Sequence, residues 1–313
     1  MATATEQAAA PRRPAAGRVD GYRLLINTVS VLVPLALIAI VVVVAQQAAP
    51  ALAHFGPRFL TAKVWNPVTN QFGALPFIFG TLVTSFIALL LALPIGVGVA
   101  VFLAEPSMPR VRGVIGTGVE LLAAIPSVVY GIWGLYVLAP WLLIHVSNPL
   151  SHSLGRVPIF AGPAAQTNLL IAAVVLAVMV LPTLASISRE VVKAVPTGMK
   201  ESSMALGGTW FETIWKVVLP TARPGIFGAT VLALGRALGE TIAVAMVIGS
   251  RPTIQASLFQ PAYTLASVIA NEFGEARGLQ YGALLALGLI LILVTLAVNL
   301  GALLLVHRVG RQR

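Results

Sequence analysis

The sequence predicts an all-α protein that crosses a membrane six times. Only 10% of its 313 residues are charged, where a soluble domain carries roughly 25%. Mean hydropathy is +0.93. Several apolar runs reach about 20 residues or more, enough to cross ~30 Å of hydrocarbon as helix. The net charge of +10 does not point to nucleic acid, because the basic residues sit in loops and tails between the apolar runs, as membrane orientation requires. With no cysteine in the chain, disulfides, thiolate metal sites and cysteine nucleophiles are excluded.

The elements follow in order. Residues 1–20 are rich in Ala, Pro and Arg with no apolar face, and read as a disordered tail. Arg12, Arg13, Arg18 and Arg23 precede the first span, Leu24–Ala45. That run exceeds the 7–15 apolar residues of a signal peptide, so it is read as retained. Residues 46–76 form an external loop. The second span is Phe77–Ala104, with Pro94, Gly96 and Gly98 inside, tolerated where neighbouring helices satisfy the backbone. A short loop with Glu105, Pro106, Arg110 and Arg112 leads to Val114–Val146, too long for one straight span, where Pro126 predicts a break. Residues 147–166 read as a loop. The fourth span is Thr167–Ile187. A loop from Arg189 to Pro220, a fifth span Ala222–Gly249, a polar segment 250–279 and a sixth span Gln280–Val306 complete the membrane part, and residues 307–313 form a basic tail.

With the N-terminus inside, fourteen basic residues lie on the inner side. Five lie outside: Arg58, Lys63, Arg156, Arg251 and Arg277. That bias of roughly three to one puts both termini and the 189–220 loop in the cytoplasm.

The loop has internal order. Pro196 suits a first helical turn, Gly207–Gly208 supplies a left-handed stop, and Thr209 with Glu212 makes a capping box. Phe211, Ile214, Trp215 and Val218 then form a helical apolar stripe, ended by Pro220. Two readings stand: the loop packs on its own bundle, or it presents a surface to another protein.

Arg236 falls near the middle of the fifth span, where a lone arginine costs about 2.5–3.5 kcal/mol on insertion scales. Glu240 follows at i+4, so on a continuous helix the two share a face. Either they form an ion pair that sets helix packing, or Arg236 receives an anion in transit and Glu240 holds it between passages. The planar guanidinium suits bidentate contact with phosphate. Glu120, in the third region, pairs with Arg236 or a partner's arginine, or reaches the interface as a helix-end glutamate. Tyr130 shapes the pathway or packs in the core. Asn271, Glu272 and Glu275 face a substrate-delivering protein or belong to a solvated loop.

Glu201-Ser202-Ser203, Gly207 and Val217-x-Leu219-Pro220 resemble, in residue type and spacing, the cytoplasmic Glu-Ala-Ala loop of ABC-importer permeases. Serines replace the two alanines and Val217 replaces isoleucine. Three further stretches, Leu234–Ser250 (LGRALGETIAVAMVIGS), Ala123–Leu135 and Thr264–Ala276, resemble the PstC-type family of phosphate-importer permeases. The sister PstA type has a similar core but a different segment around Gly-Glu-Thr. The resemblance implies a type I ABC-importer permease core over residues 75–302 in a bacterial inner membrane. It implies ATPase coupling through Glu201, Gly207, Val217, Leu219 and Pro220, and a transport role for Arg236 and Glu240. Its implied partners are a PstA-like second permease, a PstB-like cytoplasmic ATPase dimer and a PstS-like external phosphate-binding protein. A permease for another oxyanion is the nearest alternative. A self-sufficient secondary transporter or channel is the rival of a different class.

No G-x-x-x-x-G-K-[ST] run occurs, so ATP hydrolysis is expected from a partner. His54, His145, His152 and His307 share no metal-ligand spacing, and no metal or cofactor is called for. No nucleophile–base pair is visible, which leaves a membrane enzyme as a third reading.

Overall fold

The structure, a computed structural model, describes residues 21–105 and 109–310. The expectations for residues 1–20, Pro106, Arg311 and Arg313 lie outside the described residues. Six helical stretches among those described are long and apolar enough to cross a membrane: Arg23–Phe55, Leu75–Ala104, Ser127–Leu154, Leu169–Lys193, Trp210–Gly239 and Leu279–Leu304.

The chain divides into two compact units, one ending at Val43 and one beginning at Val44. Helix α1 (Gly21–Phe55) contributes to both. Within the first unit it is apolar on every side and exposed along its length. Its Thr28 hydroxyl donates to the Leu24 carbonyl at 2.8 Å.

The second unit begins with the last turns of α1. Residues 46–55, expected as loop, are therefore helix. The segment reads as loop for its polar residues and prolines, yet glutamine is a good helix former, and Gln47 accepts a hydrogen bond from Tyr281 at 3.0 Å. After α2 (Arg58–Thr61), β1 (Trp65–Asn66) and β2 (Gln71–Phe72) make a two-stranded antiparallel hairpin with Trp65 opposite Phe72. Then come α3 (Leu75–Ala104), α4 (Pro109–Ala124) and α5 (Ser127–Trp133), with the expected break at Pro126. Helix then continues through a π turn (Gly134–Leu138), α6 (Ala139–Leu142), a second π turn (Leu143–Ser147) and α7 (Asn148–Leu154). The loop expected from residue 147 therefore starts only after Leu154.

Helix α8 (Leu169–Lys193) extends the fourth span into the first residues of the expected loop. It is followed by α9 (Thr197–Ala205), α10 (Trp210–Thr213), a third π turn (Ile214–Val218) and α11 (Leu219–Gly239). Pro220 does not end its helix, contrary to expectation. A proline lacks an N–H and its ring clashes with the carbonyl four residues back. Here that carbonyl belongs to Lys216, inside the π turn, where the wider coil makes room. Pro140 and Pro149 stand in the same relation to the two earlier π turns, two residues beyond each.

The fifth span is also interrupted. It stops at Gly239, and α12 (Ile242–Val247) is a separate short helix. The segment 250–279, expected to be polar and outside, contains α13 (Leu265–Glu272), whose first four residues are buried. Thr264 and Ser267 cap it reciprocally. Helix α14 (Leu279–Gly310) runs beyond the expected Val306.

The centre is α3 packed along α8, with α11 against both. On α3, Ala88, Ala92, Gly96 and Ala100 are buried at four-residue spacing, a stripe of small residues that lets helices approach closely inside a membrane. A second core joins α3, α13 and α14 through Phe77, Tyr263, Leu265 and Leu284. There a Cβ on Gly80 would stand 2.2 Å from the Tyr263 carbonyl oxygen. Gly80→Ala is therefore expected to destabilise the protein by about 2 kcal/mol or more, the scale of overpacking a tight core. The thermal unfolding midpoint in detergent checks it; an unchanged midpoint contradicts the packing described.

Candidate functional site

Arg236 occupies the last turn of α11, where the negative end of the helix dipole favours a cation. Its Nη1 donates to Thr183 Oγ1 at 3.5 Å. Thr183 is the fifteenth of the 25 residues of α8. At 1.5 Å rise per residue that is about 21 Å from one end of the helix and about 15 Å from the other. Arg236 therefore lies near half-depth of the bundle. It is nonetheless exposed on the surface of its own chain, and no carboxylate among the described residues lies within 4 Å of it. A guanidinium at that depth is costly against lipid, so this face needs a wet cavity or another polypeptide over it.

The backbone breaks beside it. Glu240 is extended (φ −67, ψ 128) and its N–H reaches only back to Ala237. The Thr241 hydroxyl donates to the Gly239 carbonyl at 3.1 Å. Glu240 therefore does not continue the helical face of Arg236, and the expected i,i+4 pairing is not formed. The reason is local: once the helix ends at Gly239, residue 240 leaves the helical register that would have put the carboxylate one turn above the guanidinium.

A second break, at Pro126, is braced by Tyr130. This side chain is buried, and its hydroxyl donates across the break to the Leu122 carbonyl at 2.7 Å. Helices α5 and α12, which leave the two breaks, pack on each other. A Cβ on Gly131 would stand 3.2 Å from Ala243 Cα, so the missing side chain permits this contact. Non-helical backbone at membrane depth is tolerated only where protein buries it or where it lines a wet cavity. Arg236, the Thr183 hydroxyl and the interrupted backbone after Gly239 lie close together, groups whose chemistry can hydrogen-bond an oxyanion.

Glu120 is not brought to Arg236. It is exposed on α4 and borders a cavity of about 410 Å³ that also touches Arg112, Thr117 and Arg189. Arg189 lies six positions beyond Thr183 toward the C-terminal end of α8, about 9 Å from that level. Asn271 and Glu272 are tied into the fold: Asn271 donates to Tyr263 Oη at 3.1 Å, and Glu272 accepts from Trp65 Nε1 at 2.9 Å and Gln280 Nε2 at 3.1 Å. No group of three or more His, Asp or Glu able to hold a metal occurs among the described residues.

The 189–220 loop divides the two readings between its side chains. Ile214 and Val218 are buried against Val192, Val195 and Ala222. Phe211 and Trp215 stay exposed, at 63% and 59%. Gly207 adopts φ +89, a left-handed conformation costly for other residues, and turns the chain between α9 and α10. The capping box of Thr209 and Glu212 is formed, with both side chains engaged. Glu201 is exposed on α9. Val217, Leu219 and Pro220 lie half-buried where the loop rejoins the span.

The sequence reading missed two residues here. Leu206, next to Gly207, is 90% exposed, an apolar side chain at the tip of the turn. Lys200 forms a shielded ion pair with Glu105 at 2.6 Å, which no local pattern reveals because 95 positions separate the two.

Compared with known proteins, residues 92–311 match the family described as "Binding-protein-dependent transport system inner membrane component". A phosphate transport system permease protein PstC from Mesorhizobium japonicum is 50% identical over 250 residues, 78% of this chain and 76% of that protein. One from Xylella fastidiosa is 43% identical over 295 residues, 93% of this chain and 91% of that protein. Among solved structures, the MetNI methionine ABC transporter in an inward-facing conformation matches with a TM-score of 0.56 at 20% identity, over 79% of this chain and 99% of that one. A bacterial alginate ABC transporter with its substrate-bound periplasmic protein matches with a TM-score of 0.56 at 18% identity, over 90% and 91%. At that identity the two structures speak to fold alone, the helical architecture of ABC-importer permeases.

Proposed function

Because the chain belongs to the family of binding-protein-dependent transport system inner membrane components, we propose that it is a permease subunit of an ATP-driven importer of inorganic phosphate. The observation that carries this reading is Arg236: a guanidinium at half-depth, exposed on its own chain and, among the described residues, bonded to the Thr183 hydroxyl. Among oxyanions, phosphate is favoured by the names of relatives 43–50% identical to it.

In this reading residues 75–302 are the permease core, and a PstA-like second permease covers the Arg236 face to enclose the passage. Phosphate arrives from a PstS-like external binding protein. At the break in the fifth span, Arg236 offers two parallel N–H groups to one phosphate edge. Thr183 orients the guanidinium, Tyr130 braces the neighbouring break, and Glu240, half-buried one residue past the helix end, adds a carboxylate beside the passage. A PstB-like ATPase dimer docks on the 189–220 loop through Glu201, the Gly207 turn and the exposed apolar tip. Val217, Leu219 and Pro220 join that loop to the fifth span. With both termini cytoplasmic, closure of the ATPase pair moves the loop and switches access as a rigid-body change.

The test is uptake of inorganic phosphate into vesicles containing the full complex. Wild type is expected to require ATP and all subunits. Glu201→Ala or Gly207→Val should lower uptake at least tenfold and weaken ATPase retention. Uptake by this chain alone, or unaltered uptake with normal docking in both variants, would overturn the reading.

A further inference from the structure

One ion pair among the described residues joins elements far apart in sequence: Lys200 Nζ to Glu105 Oε1, 2.6 Å. The others link residues one to four positions apart. The Lys200–Glu105 pair is also the best shielded, with 17% of the Lys200 side chain and 7% of the Glu105 side chain exposed. Glu105 is the residue that ends α3. A carboxylate there faces the negative end of the helix dipole and is removed from water as well, so it needs a cation. Lys200 supplies that cation from α9, a helix with no buried residue of its own. The pair is thus a polar tie between a surface helix and a membrane-crossing one.

We infer that the Lys200–Glu105 ion pair transmits movement of the docking loop to α3, so that ATP hydrolysis and opening of the passage stay coupled. The inference rests on the reading of 189–220 as the ATPase-docking loop and adds the route by which its motion enters the membrane. From Glu105 that route is continuous. Helix α3 packs along α8, and α8 carries Thr183, the hydroxyl bonded to Arg236. A closely packed helix pair moves as a body rather than deforming, so a pull at the end of α3 reaches half-depth. Val101 and Ala104 of α3 also pack against the cluster of Ile214 and Val218 in the second half of the loop; the ion pair adds the tie of α9 itself to the end of α3, and without it α9 can follow the ATPase apart from α3.

The experiment uses the full complex in vesicles, with three readouts: retention of the ATPase, ATP hydrolysis, and uptake of inorganic phosphate. Lys200→Met and Glu105→Gln, singly and together, are expected to keep the ATPase bound and hydrolysis within twofold of wild type. Uptake per ATP should fall at least tenfold. The exchange Lys200→Glu with Glu105→Lys should restore at least half of that ratio. Unchanged uptake per ATP in the single variants overturns the inference. So does loss of the ATPase from every variant, which assigns the pair to holding the loop's shape, and so does an exchange variant that keeps the ATPase yet regains no coupling. The two readings fail separately. If the Glu201 and Gly207 variants dock and transport normally, the docking reading fails; if they do not, and the Lys200 variants transport normally, only the transmission step fails.

Discussion

Arg236→Gln is expected to abolish phosphate uptake while the complex still assembles. Glutamine keeps a donor for Thr183, so the contact between α11 and α8 survives. The side chain makes no ion pair within 4 Å among the described residues, so its charge holds no neighbour in place. What disappears is the positive charge and the two-pronged donor. Charge-assisted hydrogen bonds contribute about 1.5–3 kcal/mol each, so losing two removes about 3 kcal/mol or more. That is a hundredfold or greater loss at about 1.4 kcal/mol per factor of ten. Arg236→Lys should fall between, because it retains charge without the fork. Uptake in vesicles, beside co-purification of the subunits, checks both. Collapse of assembly in Arg236→Gln would assign the residue to packing; near-normal uptake would remove it from the passage.

The second large effect is expected at Leu206. At 90% exposure its side chain contributes almost nothing to the chain's own stability, so Leu206→Asp should leave the unfolding midpoint unchanged. Seated in a partner's groove, a leucine is worth about 1.5–3 kcal/mol of apolar burial, and an aspartate there adds the cost of an unpaired buried charge. The ATPase should be lost on purification, with affinity lowered a hundredfold or more, and ATP-dependent uptake should cease. The neighbouring exposed residues, Met204 at 46% and Trp210 at 48%, should give smaller losses on substitution by alanine. Retention of the ATPase by Leu206→Asp would place the docking surface elsewhere.

How far the site was legible depended on the distance over which its geometry is set. The capping box of Thr209 and Glu212 and the left-handed Gly207 are local, and both could be read from a few residues. The break at Pro126 was legible for the same reason. Pro220 was misread because the rule that proline stops a helix assumes a regular coil, and the π turn before it removes the clash. The Arg236–Glu240 pairing was misread because the i,i+4 rule assumes an unbroken helix, and nothing between them but Gly239 signals the break.

By itself the sequence determined the membrane class, the six apolar spans and the arginine inside the fifth. These follow from composition and hydropathy, which act residue by residue against the solvent. Only the tertiary structure decided that Arg236 stands level with the middle of α8 and bonds Thr183, that Tyr130 is buried and braces a break, and that Lys200 reaches Glu105. Those outcomes depend on which helices pack together and where each one is interrupted, and a contact between residues 53 or 95 positions apart leaves no mark on the sequence near either partner.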